Sequence, residues 1–190
     1  SSDLAYVGTY THGSSKGIHI YDIDVENGVM TERTVVPVHN ASHLTKSDNG
    51  CFLYSIADEG VEVLRILPDG GLESINRKSI DGMRGCFLST DSTGKFLFVA
   101  GWHDAKVTVI HTHRDGRLGS IMDGVFHQGI GGSVAERNYR PHVSCVMPTP
   151  DGKYLCAVDN GIDQIKLYQV RSDLGKLKLI DILRCDLDSG

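Results

Sequence analysis

The chain has 190 residues, 40% of them hydrophobic and 23% charged, with a formal net charge of −5. That composition is ordinary for a globular protein and excludes wholesale disorder. The acidic balance argues against nucleic-acid or membrane-surface partners, which call for a basic footprint, and restricts any anionic substrate to a local arginine or histidine cluster. No apolar run approaches the length of a membrane span, and no signal peptide is visible. The five cysteines include no C-x-x-C pair and lie mostly inside apolar runs, so reduced, buried thiols in a cytoplasmic protein are expected. The chain starts Ser1-Ser2-Asp3 without a methionine, which leaves room for a removed leader.

In chain order, Leu4–Thr9 reads as a strand, Gly17–Ile23 as an alternating one and Thr34–Val38 as a third. A polar turn, Asp48-Asn49-Gly50, then opens an aromatic and aliphatic strand ending at Ala57. The same turn-then-strand pattern returns at Ser92-Thr93-Gly94 and at Pro150-Asp151-Gly152. Glycine suits these turns because it tolerates positive φ. Each is followed by a period-2 strand (Val61–Ile66, Lys106–Ile110, Gln164–Val170), a second glycine turn (Gly70, Gly116, Gly175) and a more polar strand. Short apolar segments such as Cys86-Phe87-Leu88 and Cys145-Val146-Met147 precede the later aromatic strands.

Four short antiparallel strands per unit, with turn signals about every ten residues, are the signature of a β-propeller blade. The fold class expected is all-β: one partial propeller domain over 1–190, with blades over about 4–38, 40–80, 84–126 and 141–184. The first blade lacks its innermost strand, so about three and three-quarter blades are present. An open arc would expose two raw sheet faces. The remaining blades are therefore expected from the rest of a longer chain or, as the less favoured choice, from a second copy.

Gly50, Gly94 and Gly152 are 44 and 58 residues apart. The extra length falls around 126–140, a long excursion of the kind that is usually functional in compact repeats. It ends in Glu136-Arg137-Asn138-Tyr139-Arg140-Pro141-His142, the densest gathering of chemically active side chains in the sequence. Ten residues before each turn glycine stand Asn40, Arg84 and His142, which should line one rim of a central channel. Loops between second and third strands bring Tyr10, Glu59, Trp102, His103, Asp159 and Asp163 to the same rim. His111 and His113 share a strand face but have no third metal ligand in sight, and the rim carboxylates are not clustered in sequence, so no metal and no cofactor are expected.

Tyr6–Ile18, Asn40-Ala41-Ser42-His43-Leu44, Arg137–His142 with Pro150–Tyr154, and Asp159–Ile165 together resemble the seven-bladed propeller lactonases, the family of bacterial-type 6-phosphogluconolactonase. The resemblance covers the whole chain, while the chain covers about half of the family's ring. It implies hydrolysis of a phosphorylated sugar lactone, 6-phosphogluconolactone to 6-phosphogluconate, in the pentose phosphate pathway. A carboxy-muconate lactonising cyclase and a non-catalytic binding platform are the alternatives. The family often writes Pro-His-x-His where this chain has Pro141-His142-Val143-Ser144. Lactone hydrolysis needs a base, and a cation for the oxyanion or phosphate. His142 is the expected base or proton shuttle, Arg137 or Arg140 the expected cation, and Glu59 the residue that orients a histidine or a sugar hydroxyl. Arg140, Arg84, Asn40, His103 and Tyr10 are the expected substrate contacts. The bland alternative for His142 is a rim histidine bonded to a backbone carbonyl.

Overall fold

The computed structural model describes residues 3–132 and 140–186, and within them every regular element is a strand. The first sheet is β1 (Asp3–Gly8), β2 (Gly17–Asp24) and β3 (Val29–Pro37). The second is β4 (Leu44–Lys46), β5 (Phe52–Ala57), β6 (Gly60–Ile66) and β7 (Leu72–Lys78). The third is β8 (Phe87–Thr90), β9 (Phe96–Ala100), β10 (Lys106–Thr112) and β11 (Leu118–Phe126). The fourth is β12 (Val143–Pro148), β13 (Tyr154–Asp159), β14 (Gln164–Arg171) and β15 (Lys176–Arg184).

Each sheet is an antiparallel meander in chain order, as the turn spacing predicts, and the first has three strands. In all four sheets the pairing of the last two strands slips by a residue, at Ile20/Tyr21, Val63/Leu64, Val109/Ile110 and Leu167/Tyr168. A bulge there increases the local twist of the outer strand.

Three apolar cores fill the three seams between successive sheets. Ile18, Val38, Leu53 and Leu64 pack the first seam. Tyr54, Ile56, Val63, Leu97 and Ile110 pack the second. Phe98, Val107, Val146, Leu155 and Tyr168 pack the third. Burial along the second strands shows the stacking: every residue of β5 and β9 is buried, because both faces of those sheets are covered. In β13 buried residues alternate with half-buried ones, so only one face is covered.

The expectation of buried thiols is corrected by the structure. All five cysteines are free and none is fully buried; Cys51 is exposed and the rest are half-buried. Cys145 and Cys156 adjoin core residues in sequence, Val146, Leu155 and Ala157, but a pleat sends neighbouring side chains to opposite faces.

One contact recurs from seam to seam. Near the start of β1, β5 or β9, Leu4, Phe52 or Phe96 lies against the outer turn glycine of the next sheet, Gly70, Gly116 or Gly175. Tyr6 and Tyr54 reinforce it by donating to the carbonyls of Gly70 and Gly116 at 2.8 and 3.1 Å. At Gly116, with φ 85°, a Cβ would stand 2.4 Å from a ring carbon of Phe52. Gly116→Ala therefore adds left-handed strain to an overpacked seam and is expected to cost about 2–4 kcal/mol in denaturant unfolding. Gly28→Ala, with a similar φ and nothing within 4 Å of its Cβ, carries the strain alone and should cost less.

Candidate active site

The ends of the second strands and the starts of the innermost ones lie at the same end of the sheets, and there the seams are closed by polar groups. At the first seam Asn40 takes φ 52°, a left-handed conformation that asparagine tolerates better than most residues. Its Oδ1 accepts from Thr11 N and Thr11 Oγ1 at 2.8 and 3.1 Å, and its Nδ2 donates to Asp58 Oδ1 at 2.7 Å.

Arg84, at the next seam, donates through Nη2 to the Asn40 carbonyl and to Ser42 Oγ. Its guanidinium lies 5.0 Å from the centroid of the exposed Tyr10 ring, within cation–π range. Its Nε is buried without a hydrogen-bond partner among the described residues. Tyr10 in turn stacks on His12. Arg84 also borders an open cleft of about 530 Å³ that it shares with Asp58, Glu59, Arg77 and Gly82. Asn40, Tyr10, Arg84 and Glu59 are thus brought to one neighbourhood, with Glu59 exposed on the cleft wall.

His142 sits at the third seam and is 4% exposed. Its ring stacks on Trp102, centroids 4.5 Å apart and planes within 10°. Nδ1 lies 2.7 Å from the Trp102 carbonyl oxygen. A carbonyl only accepts, so the proton of the neutral ring is on Nδ1 and Nε2 carries the lone pair. The carbonyl bond of the bland reading is therefore present, and it selects the tautomer a base requires. Among the described residues Nε2 has no partner, and no bond joins Glu59 to any histidine.

The backbone of His142 is held as tightly as its ring. Its N–H donates to Asp159 Oδ1 at 2.8 Å, and its carbonyl accepts from Asn160 N at 3.0 Å. Asp159 Oδ1 also takes Gly161 N and Ile162 N, and Oδ2 takes Nδ1 of His127 at 2.7 Å. Burial pushes the Asp159 carboxyl up, but the bonds from His127 and the His142 backbone outweigh it and leave the group below the ordinary carboxylate value.

The remaining expected residues are more loosely placed. Arg140 and His103 are exposed near His142, and Arg137 lies outside the described residues. Gly161 explains the local approach of Arg140: a Cβ there would stand 1.8 Å from the Arg140 carbonyl oxygen. Ser144, at the position where the resembled family often has its second histidine, donates to Asn160 Oδ1 at 2.9 Å. Asp163, 6% exposed, has neither carboxylate oxygen paired among the described residues and borders a cavity of about 120 Å³. His43 is a packing residue: its ring lies on Phe87, Nδ1 accepts the Leu88 N–H at 3.1 Å, and burial lowers its pKa. His111 and His113 meet edge-on, on the turn side of the third sheet, away from this mouth.

The sequence reading missed the stacking of Trp102, the anchoring role of Asp159 and the whole of His127. An aspartate two residues before a glycine at a strand end is a signal for the Asp159 turn. Nothing local marks His127.

Comparison with known proteins places this geometry. A 6-phosphogluconolactonase of Bacillus subtilis (strain 168) is 33% identical over 174 residues, covering 88% of this chain and 49% of that protein. An uncharacterised Staphylococcus epidermidis protein is 33% identical over 178 residues, covering 90% and 51%. The solved structure of a Pseudomonas aeruginosa periplasmic gluconolactonase superposes with a TM-score of 0.89 at 27% identity, covering all of this chain and 56% of that one. The chain thus spans about half the length of the relatives it matches. Residues 4–190 match the family model described as lactonase, 7-bladed beta-propeller, and with four successive blade-like sheets behind that match, the chain belongs to the seven-bladed propeller lactonase family.

Proposed function

We propose that the rim around His142 hydrolyses a sugar lactone, with 6-phosphogluconolactone as substrate and 6-phosphogluconate as product. The observation that carries the reading is the His142 ring itself, stacked on Trp102 with Nδ1 committed to a carbonyl and Nε2 left as the proton acceptor. Family membership and the name of the Bacillus subtilis relative support it. In this reading Nε2 takes a proton from water as the water oxygen attacks the lactone carbonyl. Collapse of the tetrahedral intermediate breaks the bond to the ring oxygen, and the imidazolium returns the proton to that oxygen. Arg137 and Arg140 flank the lead-in to His142 and supply charge for the oxyanion and the phosphate. Arg84, Asn40, Tyr10, His103 and Glu59 contact the sugar from the neighbouring loops. The rest of the ring comes from further blades of a longer chain or from a second copy.

Ser144 favours a second reading, a non-catalytic binding platform, because its hydroxyl is tied to Asn160 rather than offered to a substrate. Kinetics separates the two. In the complete natural protein, ring opening should run above its spontaneous rate, and His142→Gln should lower kcat by about 10²–10⁴-fold. No acceleration by the wild type removes the 6-phosphogluconolactonase reading in its specific form. Arg140→Ala should raise KM for the phosphorylated lactone about tenfold or more, the worth of a charge-assisted bond, with much less effect on the unphosphorylated one. Equal effects on both would remove Arg140 from the phosphate contact.

A further inference from the structure

We propose that Asp159 and His127 form a positioning pair that fixes His142 against Trp102. The proposal rests on the reading of His142 as the base, and it concerns residues with no assigned part in the reaction.

The geometry is a closed bracket across one seam. Trp102 and His127 flank strands of the third sheet, just after β9 and just after β11; His142 and Asp159 belong to the fourth, just before β12 and at the end of β13. From the third sheet the Trp102 carbonyl receives the His142 ring. From the same sheet His127 Nδ1 bonds Asp159 Oδ2, and Asp159 Oδ1 receives the His142 N–H. His142 is therefore held to the third sheet directly at its ring and, through Asp159 and His127, indirectly at its peptide. Sliding the seam would break the Trp102 tie and the His127–Asp159 bond.

A turn needs no buried ion for its own sake. Asp159 is 1% exposed and the His127 side chain has no exposure at all, and a carboxylate at such depth is costly unless fully bonded. A serine or asparagine could accept the Gly161 and Ile162 N–H groups as an ordinary turn cap. The additional histidine, brought from 32 residues away, makes sense for a carboxylate that must keep one orientation. Its cost is visible, since His127 Nε2 is buried with no partner among the described residues. Around the pair, Tyr168 is 6.0 Å from the His127 ring and its pKa is pushed up to about 12 by burial. Burial lowers the pKa of Lys166 on the same strand while the Asp159 charge opposes it. This dry surrounding keeps the Asp159–His127 bond from being exchanged for water.

The test uses the complete natural protein and two substitutions at His127. His127→Leu keeps the volume and removes the donor; His127→Asn presents an Nδ2–H where Nδ1–H stands. Expected for His127→Leu is a fall in kcat of about ten- to hundredfold, the penalty of a base displaced by about an ångström, with KM within threefold. His127→Asn should restore most of it. Ring proton–nitrogen spectra should show His142 as the Nδ1–H tautomer in the wild type and His127→Asn, and as a mixture in His127→Leu. Unchanged kcat and unchanged His142 spectra in folded His127→Leu overturn the proposal. So does equal impairment of both variants, which would mean packing alone. Asp159→Asn offers a second route: it keeps an acceptor for the three backbone N–H groups but turns an amide donor toward His127, and should reproduce the His127→Leu phenotype. Should His142→Gln leave turnover intact, the base assignment falls, and the ring spectra then decide the positioning claim without reference to activity.

Discussion

A twisted antiparallel sheet with apolar side chains on both faces can remove them from water only by stacking against another sheet on each side. That constraint orders everything else in this molecule. The middle sheets satisfy it, with β5 and β9 buried throughout, while the alternating burial of β13 marks a sheet covered on one side only. The pitch between sheets is set by the repeated packing of Leu4, Phe52 and Phe96 on Gly70, Gly116 and Gly175. Because that contact recurs in one register, the opposite ends of the strands also arrive in one register. Residues far apart in the chain then share a rim for geometric reasons, before any chemistry is asked of them.

At that rim each seam needs a polar closure, since backbone groups of the loops cannot be left dry and unpaired. Asn40, Arg84 and His142 occupy corresponding positions and all make such a closure, to Thr11, to the Asn40 carbonyl and to the Trp102 carbonyl. What separates them is the bonding capacity left over. The Asn40 oxygen already accepts two bonds and its amide gives one. Arg84 retains a buried, unbonded Nε beside an open cleft. His142 retains one ring nitrogen of defined character. On the proposed reading a structural tie and a proton acceptor are therefore not competing descriptions of His142; the tie to Trp102 is what leaves Nε2 as the lone-pair nitrogen.

The fold was legible because its determinants are local. Turn glycines at Gly50, Gly94 and Gly152 all take φ near 70°, and alternation between them marks the strands. The rim position of His142 followed from counting back from those turns. The Asp159–His127 bond spans 32 residues and the His142–Trp102 contact 40, and such pairings depend on how two sheets are rotated against each other, which no local pattern encodes. The cysteines failed for a related reason. Apolar neighbours show that a strand enters the core, but not which of its two faces a given side chain takes.

The serine at position 144 limits the chemistry more than it weakens it. Ser144 and His142 both hold the loop that follows β13, through Asn160 and through Asp159 and Asn160 respectively. Ser144 thus reinforces the bracket around His142 rather than adding a second acid or base. On the lactonase reading one histidine is sufficient. The proton that Nε2 removes from water is needed again when the ring oxygen departs, and in a lactone that oxygen stays tethered to the acyl carbon's own chain. Acid and base steps then fall to the same nitrogen in sequence, provided the imidazole does not move between them. On that reading a histidine with no proton-transfer partner among the described residues places its whole demand on rigidity, which is the property proposed for Trp102, Asp159 and His127.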